Sequence, residues 1–157
     1  MTVNDLIIQS TRSSHEGLFH QARKVPADKL GWTPLDNGRS VLDICAECAL
    51  SPTWGSEVVE AGGFQMTEEI MAEFMAAKAA LTTLEECERV AAENLAKFEE
   101  YVRALPAERM DDTIEMPFGR TKTWSVADVL LIHHWNTVYH GGQICYIQTL
   151  YGDKSMD

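Results

Sequence analysis

Four polar side chains interrupt an otherwise apolar stripe near the C-terminal end of the chain: His133, Asn136, His140 and Gln143. Their spacings of three, four and three gather them, on an α-helix, into about a quarter of the circumference. Imidazoles and amides gathered in this way can transfer protons, hold a metal ion or bond one another. Left without a partner in a core, each costs about 1–3 kcal/mol. An ordinary polar core layer, satisfied by facing helices, is the plainer alternative. The carboxylate to set beside them is Glu47, whose neighbours one turn away are Asp43, Ile44, Leu50 and Ser51. A carboxylate between apolar ridges is rarely buried alone. Glu47 therefore either lies on a solvated edge, pairs with one histidine, or faces the polar patch as a ligand or base.

The element that must carry the patch is Ser125 to Tyr151, which contains no proline and opens with Ser125 and Asp128 at capping-box spacing. It reads as one helix of about seven turns. Val126, Val129, Leu130, Thr137, Ile144, Ile147 and Tyr151 share its apolar face. Upstream, Ile7, Ile8, Thr11, Leu18, Phe19 and Ala22 give residues 3–24 an amphipathic pattern that Pro26 ends, with His15 toward the apolar side and His20 away from it. Residues 27–38 have turn chemistry, and Trp32 and Leu35 are expected to cover one end of the core. Ser40 caps the helix that carries Glu47; Pro52 either kinks or ends that helix, and Gly62 and Gly63 stop the segment. Residues 67–105 are helical in composition but too long for one rod in a compact chain. Thr83 and Glu86 mark a fresh start, giving a short helix near 68–79 and a long one near 84–105, whose acidic run is a solvated face. Between 107 and 124, Pro117 and Gly119 predict a small hairpin.

Composition narrows the functional classes. Thirteen Lys and Arg against 24 Asp and Glu leave a net charge of −11. Without a basic cluster to release counterions, neither nucleic acid nor an anionic membrane is an expected partner. The chain shows no charged-then-apolar leader and no apolar run near about 18 residues, so a soluble cytoplasmic protein is expected. Cys45, Cys48, Cys87 and Cys145 lack the density of a secreted scaffold. Cys45 and Cys48 sit inside a helix with no strand nearby, and they read as small core residues rather than a redox pair. Residues 1–157 are expected to form a single domain.

Four principal helices, the hairpin-like approach to the last one and the run NTVYHGGQICYIQTLYG together resemble the DinB-like family. The resemblance spans nearly the whole chain and is most specific at His140, Gly142 and Gln143, with an apolar continuation to Leu150 and Gly152. It implies an all-α four-helix bundle of DinB-like type, with a short extra helix and a small hairpin-like loop before the last helix. It also implies a divalent metal, often nickel or zinc, held by three histidines: one on the second helix and two, four residues apart, on the last. Carried over, these positions fall on Glu47, Asn136 and His140, so only one is the family residue. Carboxylate, amide and imidazole suit Mn, Mg or Fe better than zinc, and bind less tightly than three imidazoles. His133, one turn before Asn136, is a substitute nitrogen. His133, Tyr139 and Gln143 are the candidates for proton transfer, orientation or supporting hydrogen bonds.

The activity implied is that of a metal-dependent thiol-S-transferase or hydrolase. Its small-molecule substrates would be a low-molecular-weight thiol with an electrophile, or a small amide. A non-catalytic binding or stress-response module with a degenerate metal site is the alternative. Ile132, Trp135, Tyr139, Tyr146 and Leu150 form a second apolar ridge beside Gly142. A homodimer contact is expected there, as the resemblance also implies, unless the Trp32 loop or residues 67–79 cover it.

Overall fold

Helix α1 (Val3–Arg23) starts where its cap dictates: the Thr2 hydroxyl accepts from the Asp5 amide, and the Asp5 carboxylate accepts from the Thr2 amide. The computed structural model, which describes residues 1–35, 37–119 and 122–155, buries Ile7, Ile8, Thr11, His15, Leu18, Phe19 and Ala22 along that helix. His20 faces solvent. Ser40 caps α2 (Val41–Leu50) through the Asp43 amide. Of the two alternatives at Pro52 the chain takes the break: the segment from Ser40 to Gly62 is two helices. Pro52 has no N–H to continue the ladder, α2 stops at Leu50, and α3 (Trp54–Ala61) restarts beyond it. Gly62, at φ +68°, ends α3 in the left-handed conformation that glycine adopts without strain.

Helices α4 (Glu68–Ala80) and α5 (Leu84–Ala104) are separated at residues 81–83, where Thr83 and Glu86 form the expected capping box. Strands β1 (Thr113–Glu115) and β2 (Thr123–Ser125) pair antiparallel with Ile114 opposite Trp124. Residues 120 and 121 of the predicted hairpin, and residue 36 of the earlier loop, lie outside the described residues.

The last helix also departs from expectation. Instead of one helix from Ser125, there are α6 (Val126–Leu130) and α7 (Ile132–Leu150), divided at Leu131. The Leu131 amide turns tightly onto the carbonyls of Ala127 and Asp128. Against this break lies Gly55 of α3, so close that a Cβ there would sit 2.7 Å from the Val129 carbonyl oxygen. The break thus coincides with a close approach of two backbones, which is a tertiary cause. Ser125 does cap α6, but the Asp128 carboxylate takes its hydroxyl proton and no reciprocal capping box forms.

Around the bundle, α1 packs on α7 and α5, while α2 packs on α5 and α7; α3 and α6 close one end. Its interior is apolar at both ends. One cluster is built around Leu18, Phe19, Ile44, Ala91 and Ile144, the other around Ile7, Phe98, Val102, Val129 and Leu130. Between these clusters on α1 fall Thr11 and His15; on α7 the same level holds His133 and Thr137. The bundle therefore has a polar waist. Helix α4 lies outside the bundle and buries no residue. It is held by Lys78 Nζ on Asp43 at 2.6 Å and by Phe74 against Trp54. Trp32 packs edge-on against Tyr151 as expected of a core cover, but Leu35 does not: at φ +59° it is 91% exposed. Cys45, Cys48 and Cys87 are free and buried, and burial pushes all three thiols up, away from thiolate chemistry.

Candidate functional site

Helices α2 and α7 bring Glu47 and His140 together. His140 Nε2 lies 2.9 Å from Glu47 Oε1, and its other nitrogen, Nδ1, lies 2.6 Å from Gln143 Oε1. Gln143 is three residues further along the same helix face, so the ring is held from its own helix. Its amide nitrogen bonds the Tyr139 hydroxyl at 3.2 Å. The Gln143 amide can accept from Nδ1–H or, turned over, donate to Nδ1, so Nε2 can meet the Glu47 carboxylate as an N–H donor or offer its lone pair to a cation.

Asn136 completes the group, its amide 3.5 Å from Glu47 Oε1 and 3.5 Å from Ser51 Oγ. These contacts are long, and they leave the amide free to turn its oxygen inward. Among the described residues no three histidine, cysteine or carboxylate side chains converge to hold a metal; beside Glu47 and His140 stands the amide of Asn136. The 2.9 Å between His140 Nε2 and Glu47 Oε1 is both a hydrogen-bond distance and the spacing of neighbouring ligands around an ion with bonds of about 2.0–2.2 Å.

Electrostatics reinforce the carboxylate. The hydrogen bond from His140, opposed by burial and aided by the Arg39 guanidinium, lowers the Glu47 carboxyl to about 2. Arg39 Nη1 sits 2.8 Å from Glu47 Oε2 and its Nε 2.6 Å from Asp43, which in turn holds Lys78. A line of alternating charge therefore runs from α4 through the start of α2 to His140. The His140 side chain is buried, whereas that of Glu47 is 18% exposed and Tyr139 lies open to solvent. The patch faces solvent from that side.

His133 belongs to a different group. Its Nδ1 lies 3.0 Å from Ser51 Oγ and its Nε2 3.3 Å from His15 Nδ1 of α1. Both nitrogens are engaged away from Glu47, so the structure does not bring it into position as a substitute ligand. Burial lowers His133 to about 3 and His15 to about 4, and both rings are neutral near pH 7. Of the residues singled out from sequence, Glu47, Asn136, His140, Gln143 and Tyr139 are therefore contiguous, and His133 is joined to them through Ser51. Sequence reading missed Arg39 and Ser51 as members. Arg39 was findable, since it lies four residues before Asp43 and eight before Glu47, on the approach to their face.

The arrangement is a four-helix bundle with a short antiparallel strand pair before its last two helices. The chain superposes on YfiT from Bacillus subtilis, a probable metal-dependent hydrolase with an unusual four-helix bundle topology, with a TM-score of 0.73. Identity is 15%, over 95% of this chain and 87% of that one. A DinB-like protein from the same organism, YjoA, gives a TM-score of 0.66 at 14% identity, over 97% and 96% of the two chains. At such identities the likeness concerns the fold. No family model and no curated protein matches the chain.

Proposed function

We propose that this protein is a divalent-metal-dependent enzyme acting on small molecules, of hydrolase or thiol-S-transferase type, with Glu47, Asn136 and His140 as the metal-holding residues. The observation that carries the reading is the approach of His140 Nε2 to Glu47 Oε1 at 2.9 Å, with Nδ1 tied to Gln143. A ring whose far nitrogen is so bound presents its near nitrogen as a ligand. The oxygen-rich donor set suits manganese or iron before nickel or zinc. What such an ion supplies is Lewis acidity toward water or a thiol near neutral pH.

The chain's own residues do the rest. Gln143 orients His140, Arg39 keeps Glu47 ionised and in place, and the exposed Tyr139 phenol beside Gln143 is placed to donate a hydrogen bond to a bound substrate. The test is turnover of small amides, and of thiol plus electrophile pairs, after loading with each ion. Activity absent from His140→Ala supports the reading, and activity unchanged in that variant overturns it.

One observation favours the second reading, a binding module without chemistry. Arg39 already occupies Glu47 Oε2, so the polar group is satisfied as a closed ion pair. In either case the fold is proposed to act as one domain, in the cytoplasm, and as a homodimer. Trp135, Tyr139, Tyr146 and Leu150 of α7 are 63%, 65%, 65% and 47% exposed, so neither the Trp32 loop nor α4 covers that ridge.

A further inference from the structure

Helix α3 turns one face, Trp54, Glu57, Val58 and Ala61, toward a cavity of about 410 Å³. Opposite lie Phe64 from the α3–α4 loop, Ile70 from the first turn of α4, Phe118 from the hairpin and Ile132 from the first turn of α7. We propose that this cavity binds a small aromatic or aliphatic molecule that carries no negative charge.

Three observations carry the assignment. The walls are held from behind by edge-on aromatic contacts: Trp54 on Phe74 at 5.2 Å, Phe64 on Phe118 at 5.2 Å, and Phe118 on Trp124 at 5.7 Å. Such contacts fix ring positions, so the volume is formed before a ligand arrives. Met66, Ile70 and Phe118 nevertheless remain 47%, 42% and 44% exposed around it, an apolar surface that an occupant would take out of water. The volume falls in the range of small-molecule sites, about 300–1,000 Å³, and it is walled on several sides, which suits a compact molecule better than a flat protein surface.

Charge selects among such molecules. Among the described lining residues Glu57 is the one ionisable side chain, and the chain carries a net charge of −11. An anion entering would lose hydration and meet the Glu57 carboxylate, with no cation among the described lining residues to offset either. The cavity lies beyond the polar site along the same chain segments, since Trp54 follows Glu47 by seven residues and Ile132 precedes His140 by eight. The second step spans about 12 Å of helix. The inference stands whether or not that site holds a metal.

Two dyes with one aromatic core test it on the full chain: neutral N-phenyl-1-naphthylamine and the sulfonated 1-anilinonaphthalene-8-sulfonate. The expected result is saturable one-to-one binding of the neutral dye with blue-shifted fluorescence, at least tenfold tighter than the sulfonate. Ala61→Phe, which fills the cavity from an exposed helix position, should weaken that binding tenfold or more. Ile70→Glu, at an exposed wall, should do the same and guards against a folding failure of the first variant. Val138→Ser, at an exposed position of α7 outside the cavity lining, should leave binding unchanged, and Glu57→Gln should improve binding of the sulfonate. Absence of saturable binding, equal affinity for both dyes, or loss of binding in Val138→Ser but not in Ala61→Phe would overturn the proposal.

Discussion

His140 and Glu47, 93 residues apart in the chain, face each other at 2.9 Å across α7 and α2, with Gln143 behind the imidazole and Arg39 behind the carboxylate. Each partner is thus oriented by a neighbour on the far side from the contact. A carboxylate lowered to about 2 is ionised at any physiological pH, so Glu47 always presents a negative charge, shared between the Arg39 guanidinium on Oε2 and the imidazole on Oε1. That permanent charge can be matched by a proton or by a cation, and the two proposed functions differ in which.

The buried histidines make stability pH-dependent. His15 and His133 are lowered to about 4 and about 3, against an unfolded value near 6.5, because burial disfavours their charged forms. Their contribution is complete above about pH 6.5 and is lost as pH falls toward about 4 and then 3, since the unfolded chain binds the protons first. Each adds a slope of up to about 1.4 kcal/mol per pH unit in that window. Urea midpoints from pH 7 to 4.5 should fall steeply for the wild type and about half as steeply for His15→Phe. Equal slopes would place the acid sensitivity elsewhere.

Glu99 is buried on α5 yet bonds two half-exposed arginines, Arg12 of α1 at 2.5 Å and Arg103 at 2.6 Å. Either arginine alone can keep the carboxylate paired. Arg12→Ala and Arg103→Ala should each cost about 1 kcal/mol or less, whereas the double variant should lose about 2–4 kcal/mol, well beyond their sum. Chemical denaturation of the four proteins in the cycle measures this coupling.

Two glycines separate close packing from open surface. Gly55→Ala drives a Cβ to 2.7 Å from the Val129 carbonyl oxygen and should destabilise by about 1–3 kcal/mol. Gly17 is exposed within α1, and a Cβ added there would meet nothing within 4 Å, so Gly17→Ala should gain about 0.5–1 kcal/mol. Opposite shifts in melting temperature check both.

The ridge on α7 predicts self-association. Tyr146→Glu, at a 65% exposed position, should convert a dimer to a monomer in sedimentation velocity without loss of helical signal. A wild-type monomer at high concentration would remove the homodimer from the account.

The starts of α2 and α5 were legible because capping is local: Ser40 and Asp43, or Thr83 and Glu86, act within four residues, whereas α3 and α7 start without a side-chain cap. The polar stripe on α7 was legible from its period, and the structure answers the open question about Glu47, which pairs with His140 and with Arg39. What escaped were long-range effects. The break at Leu131 lies beside Gly55, 76 positions earlier in the numbering, and the partnership of His133 with His15 spans 118 residues. The stripe pattern alone assigned His133 to the Glu47 site because it describes one helix, not which neighbour each side chain meets. Leu35 was misplaced for a related reason: its positive φ turns an apolar side chain outward, and nothing in the residue type predicts that.

The most direct measurement is the metal content of untagged protein purified without chelator, beside Glu47→Ala and His140→Ala. Near-stoichiometric divalent ion, manganese or iron before nickel or zinc, lost in both variants, is the predicted result. A wild-type protein that retains no ion after reconstitution with each of the four would contradict it, and would leave Glu47, Arg39 and His140 as a closed ion pair in a binding protein.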